Sequence, residues 1–328
     1  MFNLNGISRR LFFKHSAFIS SAFVFAQTSL SAFAQQRLLK FVVPLTPGTT
    51  PDLIARALGP LIAQKLDINF AVDNRVGASG MIGMSYVAKS TDPNMLMVVP
   101  ATTVTLPLLY KNIDFDVING FTPITQVTST SFVLVVGPNV PVKNLSEFVL
   151  WTKNNKNLFY ASPGNGTHHH LSMELLKQMT GAEIEHVAYK GSAPAFNDFL
   201  SSQVFAMFMP IQVAVPLSHG GRLKIIGGTL KDRHPHFPDI PSLHELGAKD
   251  FNVDPWYSVW GPPNLSKNLV DSFRNAIVSS LNDSGIKESF QKQGLIIKTS
   301  TPNELLALTK SESALWSKVI GLTNIKPE

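Results

Sequence analysis

Four times in this chain a short apolar strand runs into a turn rich in Gly, Pro, Ser or Thr and then into a segment with helical apolar spacing. That repeated unit restricts the fold more than any other feature. The clearest copy is Phe159-Tyr160-Ala161-Ser162-Pro163-Gly164-Asn165-Gly166-Thr167, which leads into His168-His169-His170 and then Leu171 and Leu175. Thr167 is a good N-cap, so the reading is strand, tight loop, helix. The other copies are Lys40–Leu45 before Thr46-Pro47-Gly48-Thr49-Thr50-Pro51-Asp52, Asn69–Asn74 before Arg75-Val76-Gly77-Ala78-Ser79-Gly80, and Ile184–Tyr189 before Lys190-Gly191-Ser192-Ala193-Pro194. Alternation of this kind predicts an α/β fold with mostly parallel sheets flanked by helices. Each loop aims unpaired backbone N–H groups and the positive end of a helix dipole at one place, where an anion fits.

Met95–Pro100 adds another buried strand, and the pattern then changes. The apolar stretch from Phe121 to Gly137 is long enough to leave one sheet and enter a second, and the aromatic strand Val253–Pro263 reads as the return. Two helical segments between Leu265 and Leu322 then cover the first sheet. The expected organisation is two lobes joined by two crossings, lobe 1 from residues 35–134 and 256–328 and lobe 2 from 135–255, with a binding cleft between them.

Residues 1–34 read as a cleavable twin-arginine export signal. Arg9-Arg10 precedes the apolar stretch Ala17–Ala26 and a small-residue cleavage pattern at Ala32-Phe33-Ala34. A periplasmic location follows as an expectation. Removing Arg9, Arg10 and Lys14 lowers the formal charge from +6 to +3, because residues 1–34 contain no acid. The remaining bias suits small anions and lacks the basic stripe of a nucleic-acid binder. With no cysteine in the sequence, disulfides, thiolate metal sites and cysteine nucleophiles are excluded.

The loops offer mainly neutral donors: backbone N–H groups and the hydroxyls of Thr46, Thr49, Thr102, Thr103, Ser162, Thr167 and Ser192, with Lys190 or Arg75 as possible cations. About four charge-assisted hydrogen bonds at roughly 1.5–3 kcal/mol each would hold a carboxylate at micromolar affinity without breaking a bond. Catalytic readings fit less well. Tyr160-Ala161-Ser162-Pro163-Gly164 resembles a hydrolase elbow, yet Tyr stands where Gly is needed and Pro163 has no N–H for an oxyanion hole. Gly164-Asn165-Gly166 lacks the third glycine of a dinucleotide fingerprint, and no Walker lysine is present. Three adjacent histidines on a helix point about 100° apart and cannot share one ion, so no metal or other cofactor is expected, and His170 is read as packing inward. Trp256, Tyr257 and Trp260 could stack on an aromatic ligand, but core packing is the preferred reading.

Taken in order, Val42–Gly48 with Asp52, Asp73–Gly80, Tyr160–Thr167 with His170-Leu171, and His186–Ala195 resemble the Bug family, the TctC-like periplasmic receptors of tripartite tricarboxylate transport systems. The similarity spans about residues 38 to 322 and includes Pro238–Ser242 and the Trp256 segment. The resemblance implies a two-lobed periplasmic binding-protein fold that closes on a small carboxylate, partly through ordered water. Two departures bear on the ligand: Thr49 stands where the family usually has a second Gly, and Met209 where many members carry Asp. Without that acid to pair with an ammonium, the expected ligand is a dicarboxylate or an aromatic or apolar carboxylate rather than an amino acid, with Met209 as an adaptable wall.

The expected ligand-binding set is therefore Leu45, Thr46, Pro47, Gly48, Ala78, Ser79, Thr102, Thr103, Ser162, Gly164, Asn165, Gly166, Thr167, Tyr189, Lys190, Gly191, Ser192 and Met209, with no catalytic residue. The expected partners are the membrane subunits of a transporter or a sensor kinase, with the receptor itself a monomer. A secreted serine hydrolase using Ser162 and a histidine is the rival from another class.

Overall fold

Continuous apolar runs become the central strands of the computed structural model, which describes residues 37–323 and 325; the expected export signal lies outside the described residues. β1 (Leu38–Val43) and β3 (Met95–Pro100) pair in parallel with Phe41 opposite Leu96. Such strands need cover on both faces, which explains their unbroken apolar sequence. Between them come α1 (Thr50–Leu66), β2 (Asn69–Asn74) and α2 (Met81–Ala88). α1 carries Pro51 in its first turn and stops at Asp67, whose φ of 51° is left-handed. A 3₁₀ turn at Ala101–Thr105 and the single-turn α3 (Leu106–Leu109) follow β3, and β4 (Thr122–Ser129) rejoins the sheet.

The chain crosses through Thr130 and Ser131 into β5 (Phe132–Val136) of a second sheet. There α4 (Leu145–Asn154), β6 (Phe159–Ser162), α5 (His168–Thr180), β7 (Glu185–Ala188), α6 (Ser192–Leu200), β8 (Ala206–Pro210), α7 (Ile211–His219) and β9 (Lys224–Gly228) succeed one another. β10 (Trp256–Gly261) returns to the first sheet and is followed by α8 (Lys267–Leu281), α9 (Ser284–Lys292), the two-residue β11 (Ile296–Ile297) and α10 (Pro302–Gly321). Three helices thus occupy the segment where two were expected. The break is at Asp283, whose carboxylate accepts the Gly285 and Ile286 N–H groups and starts α9.

The sheet orders are β11-β4-β10-β3-β1-β2 and β7-β6-β8-β5-β9. Both sheets are mixed. β6 runs parallel to β7 and β8, but β5 opposes β8 and β9, and β10 opposes β3 and β4. β5 and β10, reversed against their neighbours, are the strands on which the chain enters the second sheet and returns to the first. Side-chain alternation divides the apolar residues among three clusters. Leu39, Phe41, Ile54, Ile62, Phe273 and Ile277 pack on one face of the first sheet, and Val133, Val135, Phe199, Met207 and Ile211 on the far face of the second. The third cluster joins the two sheets, with Val42, Met97, Trp256 and Trp316 on one side and Phe132, Leu134, Tyr160 and Phe208 on the other. Trp256 and Trp260 belong to this core.

Buried polar contacts stitch the crossings together. Thr130 N–H donates to the Pro255 carbonyl at 2.9 Å, Phe132 N–H to Thr229 Oγ1 at 3.1 Å, and Val253 N–H to the Thr229 carbonyl at 2.8 Å. Buried hydroxyls replace water for main-chain groups that leave one ladder and have not yet joined the next.

Candidate functional site

Loops from both sheets enclose a cavity of about 210 Å³. From the first sheet come Pro44 and Leu45 after β1, Ser79 and Gly80 before α2, and Thr102, Thr103 and Tyr110 beyond β3; from the second come Asn165, Gly166 and Thr167, at the start of α5. Leu106 and Leu109 supply an apolar wall. The lining contains no Asp, Glu, Lys, Arg or His.

Each loop is held from behind. Asp52, only 2% exposed, accepts the Gly48 N–H at 2.9 Å, Arg56 Nε at 2.9 Å and Asn74 Nδ2 at 2.9 Å. Burial alone would raise its pKa, but these donors outweigh burial and hold the carboxyl below the usual range. Asn74 also donates to the Leu45 carbonyl at 3.2 Å, so one buried acid ties the first two loops together. The second loop is strained: φ is +136° at Gly77, +46° at Ala78, +53° at Ser79 and +94° at Gly80. For Ala78 and Ser79 the left-handed region costs roughly 1–2 kcal/mol each, a strain of the kind that concentrates at binding sites. Ser79 Oγ lies 2.6 Å from Tyr110 Oη, closing that side of the cavity.

The third loop rests on a polar stack. Thr167 caps α5 and donates its hydroxyl to the Gly164 carbonyl at 2.8 Å. Gly166, at φ +69°, donates its N–H to His170 Nδ1 at 3.1 Å. The His170 ring stacks on His186 with centroids 3.7 Å apart, and His186 Nε2 lies 2.7 Å from Ser162 Oγ. Burial is the main force pushing these imidazoles down, His170 to about 4 and His186 to about 3. Gly166 also meets the first sheet: a Cβ there would sit 2.0 Å from Leu109 Cδ1.

The structure thus brings Leu45, Ser79, Thr102, Thr103, Asn165, Gly166 and Thr167 around one cavity. Other expected contacts lie elsewhere. Thr46, Pro47 and Gly48 are exposed beside the lining, and the Gly48 amide is taken by Asp52. Ala78 faces a different hollow with Met81, Ile82 and Phe115. Gly164, Tyr189, Lys190, Gly191 and Ser192 are not in the lining. Gly191 and Tyr189 instead donate their N–H groups to the Pro163 and Ser162 carbonyls, bracing the third loop. Tyr189 gives its hydroxyl to Asp198 at 2.7 Å, and burial together with that carboxylate pushes the phenol up to about 12. Met209 is fully buried with Val133, Val135 and Met207 in the second-sheet core and is not in this lining.

Ser162 is fully buried, and its hydroxyl donates to the Gly164 carbonyl at 2.9 Å. Its closeness to His186 makes a serine–histidine pair, but with a blocked hydroxyl and no N–H on Pro163 it lacks the access and oxyanion donor that acyl transfer needs. Among the described residues no group of three or more His, Asp or Glu could hold a metal ion. Tyr110 and Leu109 went unnoticed in the sequence because residues 104–120 show no clear periodicity; Tyr110, an aromatic four residues past Leu106, carried the only signal.

The cavity hydroxyls are not equivalent. Thr103, Thr105 and Thr167 donate to the carbonyls of Pro100, Thr102 and Gly164 and offer a ligand only lone pairs. In the Ser79–Tyr110 pair one O–H bonds the other oxygen, which leaves the second O–H for a guest.

The sequence profile of the tripartite tricarboxylate transporter family receptor, TctC, matches residues 54–325. BugT of Bordetella pertussis is 28% identical over 313 residues, covering 94% of this chain and 96% of that protein. Among solved structures, R. palustris Rpa4515 with adipate superposes with a TM-score of 0.78 at 27% identity, covering 90% of this chain and 100% of that one. MatC (Rpa3494) from Rhodopseudomonas palustris with bound malate gives 0.73 at 26% identity, covering 87% and 99%. With most of its length matched by the profile, this chain belongs to the TctC family of tripartite tricarboxylate transporter receptors.

Proposed function

We propose that the protein is a periplasmic receptor that captures a small carboxylate without an amino group and delivers it to the membrane subunits of a tripartite transporter. It acts without transforming its ligand. The observation that carries this reading is the cavity lining: hydroxyls, an amide and a helix N-terminus for carboxylate oxygens, apolar Leu106 and Leu109 for the carbon skeleton, and no acid to pair with an ammonium. Relatives bound to adipate and malate support the carboxylate class. Amine exclusion is argued from the absence of Asp and Glu from the lining. We assign export to residues 1–34, lobe 1 to residues 35–134 and 256–328, and lobe 2 to 135–255.

A thermal-shift screen over dicarboxylates, aromatic acids and amino acids tests this reading. A ligand at a hundred times its Kd should stabilise the protein by about 2.7 kcal/mol. Adipate, malate or an aromatic acid should raise Tm, and aspartate and glutamate should not. Tight binding of the amino acids with no response to plain carboxylates rejects the proposed ligand class.

A further inference from the structure

We infer that His170 is the positioning residue of the ligand loop: its unprotonated Nδ1 accepts the Gly166 N–H and fixes Asn165–Thr167 in the shape that lines the cavity. The inference rests on the carboxylate-receptor reading for its binding consequence, while the loop geometry stands on its own.

The hydrogen bonds fix the proton positions. Because the Gly166 N–H is the donor at 3.1 Å, Nδ1 of His170 is the acceptor, and the neutral ring carries its proton on Nε2. Ser162 gives its proton to the Gly164 carbonyl, so the 2.7 Å contact between Ser162 Oγ and His186 Nε2 requires His186 to donate there. Two neutral rings stacked 3.7 Å apart at 12° then brace Gly164 and Gly166 from behind, His186 through Ser162 and His170 directly.

A proton added to Nδ1 would set two donors against each other and leave the Gly166 N–H buried without an acceptor. Burial and the Lys177 ammonium favour the neutral form, while the Glu174 carboxylate pulls His186 the other way. Lys177 and Glu174 on α5 pair at 2.7 Å, Glu174 accepts the Tyr160 hydroxyl from β6 at 2.7 Å, and β7 contributes His186 and Glu185. His170, Glu174, Lys177, Glu185, His186 and Asn165 line a second hollow beside the loop. Asn165 borders both spaces, so the loop is one residue layer between the site and the titrating rings.

The first test uses the full-length ¹⁵N-labelled protein without added ligand. Imidazole ¹⁵N shifts should place the His170 proton on Nε2, and the Gly166 amide should stay protected from exchange at neutral pH and lose protection as the pH falls through about 4. A proton on Nδ1, or a Gly166 amide that exchanges like an exposed one, overturns the inference whatever the ligand. The second test uses adipate as the probe. His170→Ala should bind about tenfold more weakly. His170→Asn, whose Oδ1 can accept the same N–H and does not titrate, should restore affinity to within about threefold and reduce the acid-side loss shown by the parent. Equal adipate affinity in His170→Ala and the parent, or an unchanged acid limb in His170→Asn, overturns the inference. If His170→Ala does not fold, the amide reading and His170→Asn decide. If the parent ignores every carboxylate, the receptor reading fails and the amide measurement alone judges His170.

Discussion

The Gly48 amide points into the carboxylate of Asp52, 2.9 Å away, and is therefore withdrawn from any ligand in the neighbouring cavity. Asp52 acts as the knot of the first two loops. Asp52→Asn should destabilise the protein by about 1–3 kcal/mol, because it turns a shared acceptor into a group that also presents donors to Gly48 and Arg56. Denaturant unfolding measures it. The depressed carboxyl pKa implies that this contribution is complete above the unfolded value of about 3.9 and fades as pH falls through the folded one.

Gly166 and Leu109 meet across the two sheets so closely that a single methyl is refused. Gly166→Ala adds a Cβ 2.0 Å from Leu109 Cδ1 at a φ of +69°, and a loss of about 1–3 kcal/mol is expected from overpacking and strain. Leu109→Ala in the same chain should recover the overpacking part only. A double-mutant cycle on unfolding free energy reads the coupling.

Tyr110→Phe should weaken adipate binding by roughly fivefold, about 1 kcal/mol, since the hydroxyl left at Ser79 loses the partner that orients its O–H. Ser79→Ala should do the same, and the two together should cost less than the sum. Calorimetric titration of the three variants settles it; full additivity would mean that the pair does not act as a unit.

Acid should unfold this protein early. Burial depresses His168 to about 3, His169 to about 4 and His234 to about 4, beside the stacked pair already described. For a histidine with a folded pKa below its unfolded value of about 6.5, the unfolded chain takes up the proton first. Stability is thus full above about pH 6.5 and falls as pH drops toward the folded values, by up to about 1.4 kcal/mol per group per pH unit. Tm measured from pH 8 to pH 4 should bend downward near pH 6.5; a flat profile would refute it.

Much of the fold was readable because Gly and Pro mark the ends of continuous apolar strands, as at Pro44 to Pro51 and Ser162 to Thr167. The crossing after β4 was visible as an apolar run too long for one sheet. What stayed hidden was which donors are already taken. Nothing in the order of residues says that Gly48 gives its amide to Asp52 or Gly166 to His170, since those acceptors lie on the next helix turn and depend on its docking. The place of Met209 follows from strand parity, which puts it with Met207 on the face away from Ala206 and Phe208.

β10 lies between β3 and β4, although it is made after the whole second sheet. As the polypeptide emerges, the early β1–β3 layer and β4 have no hydrogen bonds to each other until Trp256–Gly261 slides in and closes the gap, with α10 sealing the face behind. The later-made half of the molecule can mature while the earlier half waits for its keystone, and a nascent chain halted before residue 256 would hold one finished sheet and one unfinished.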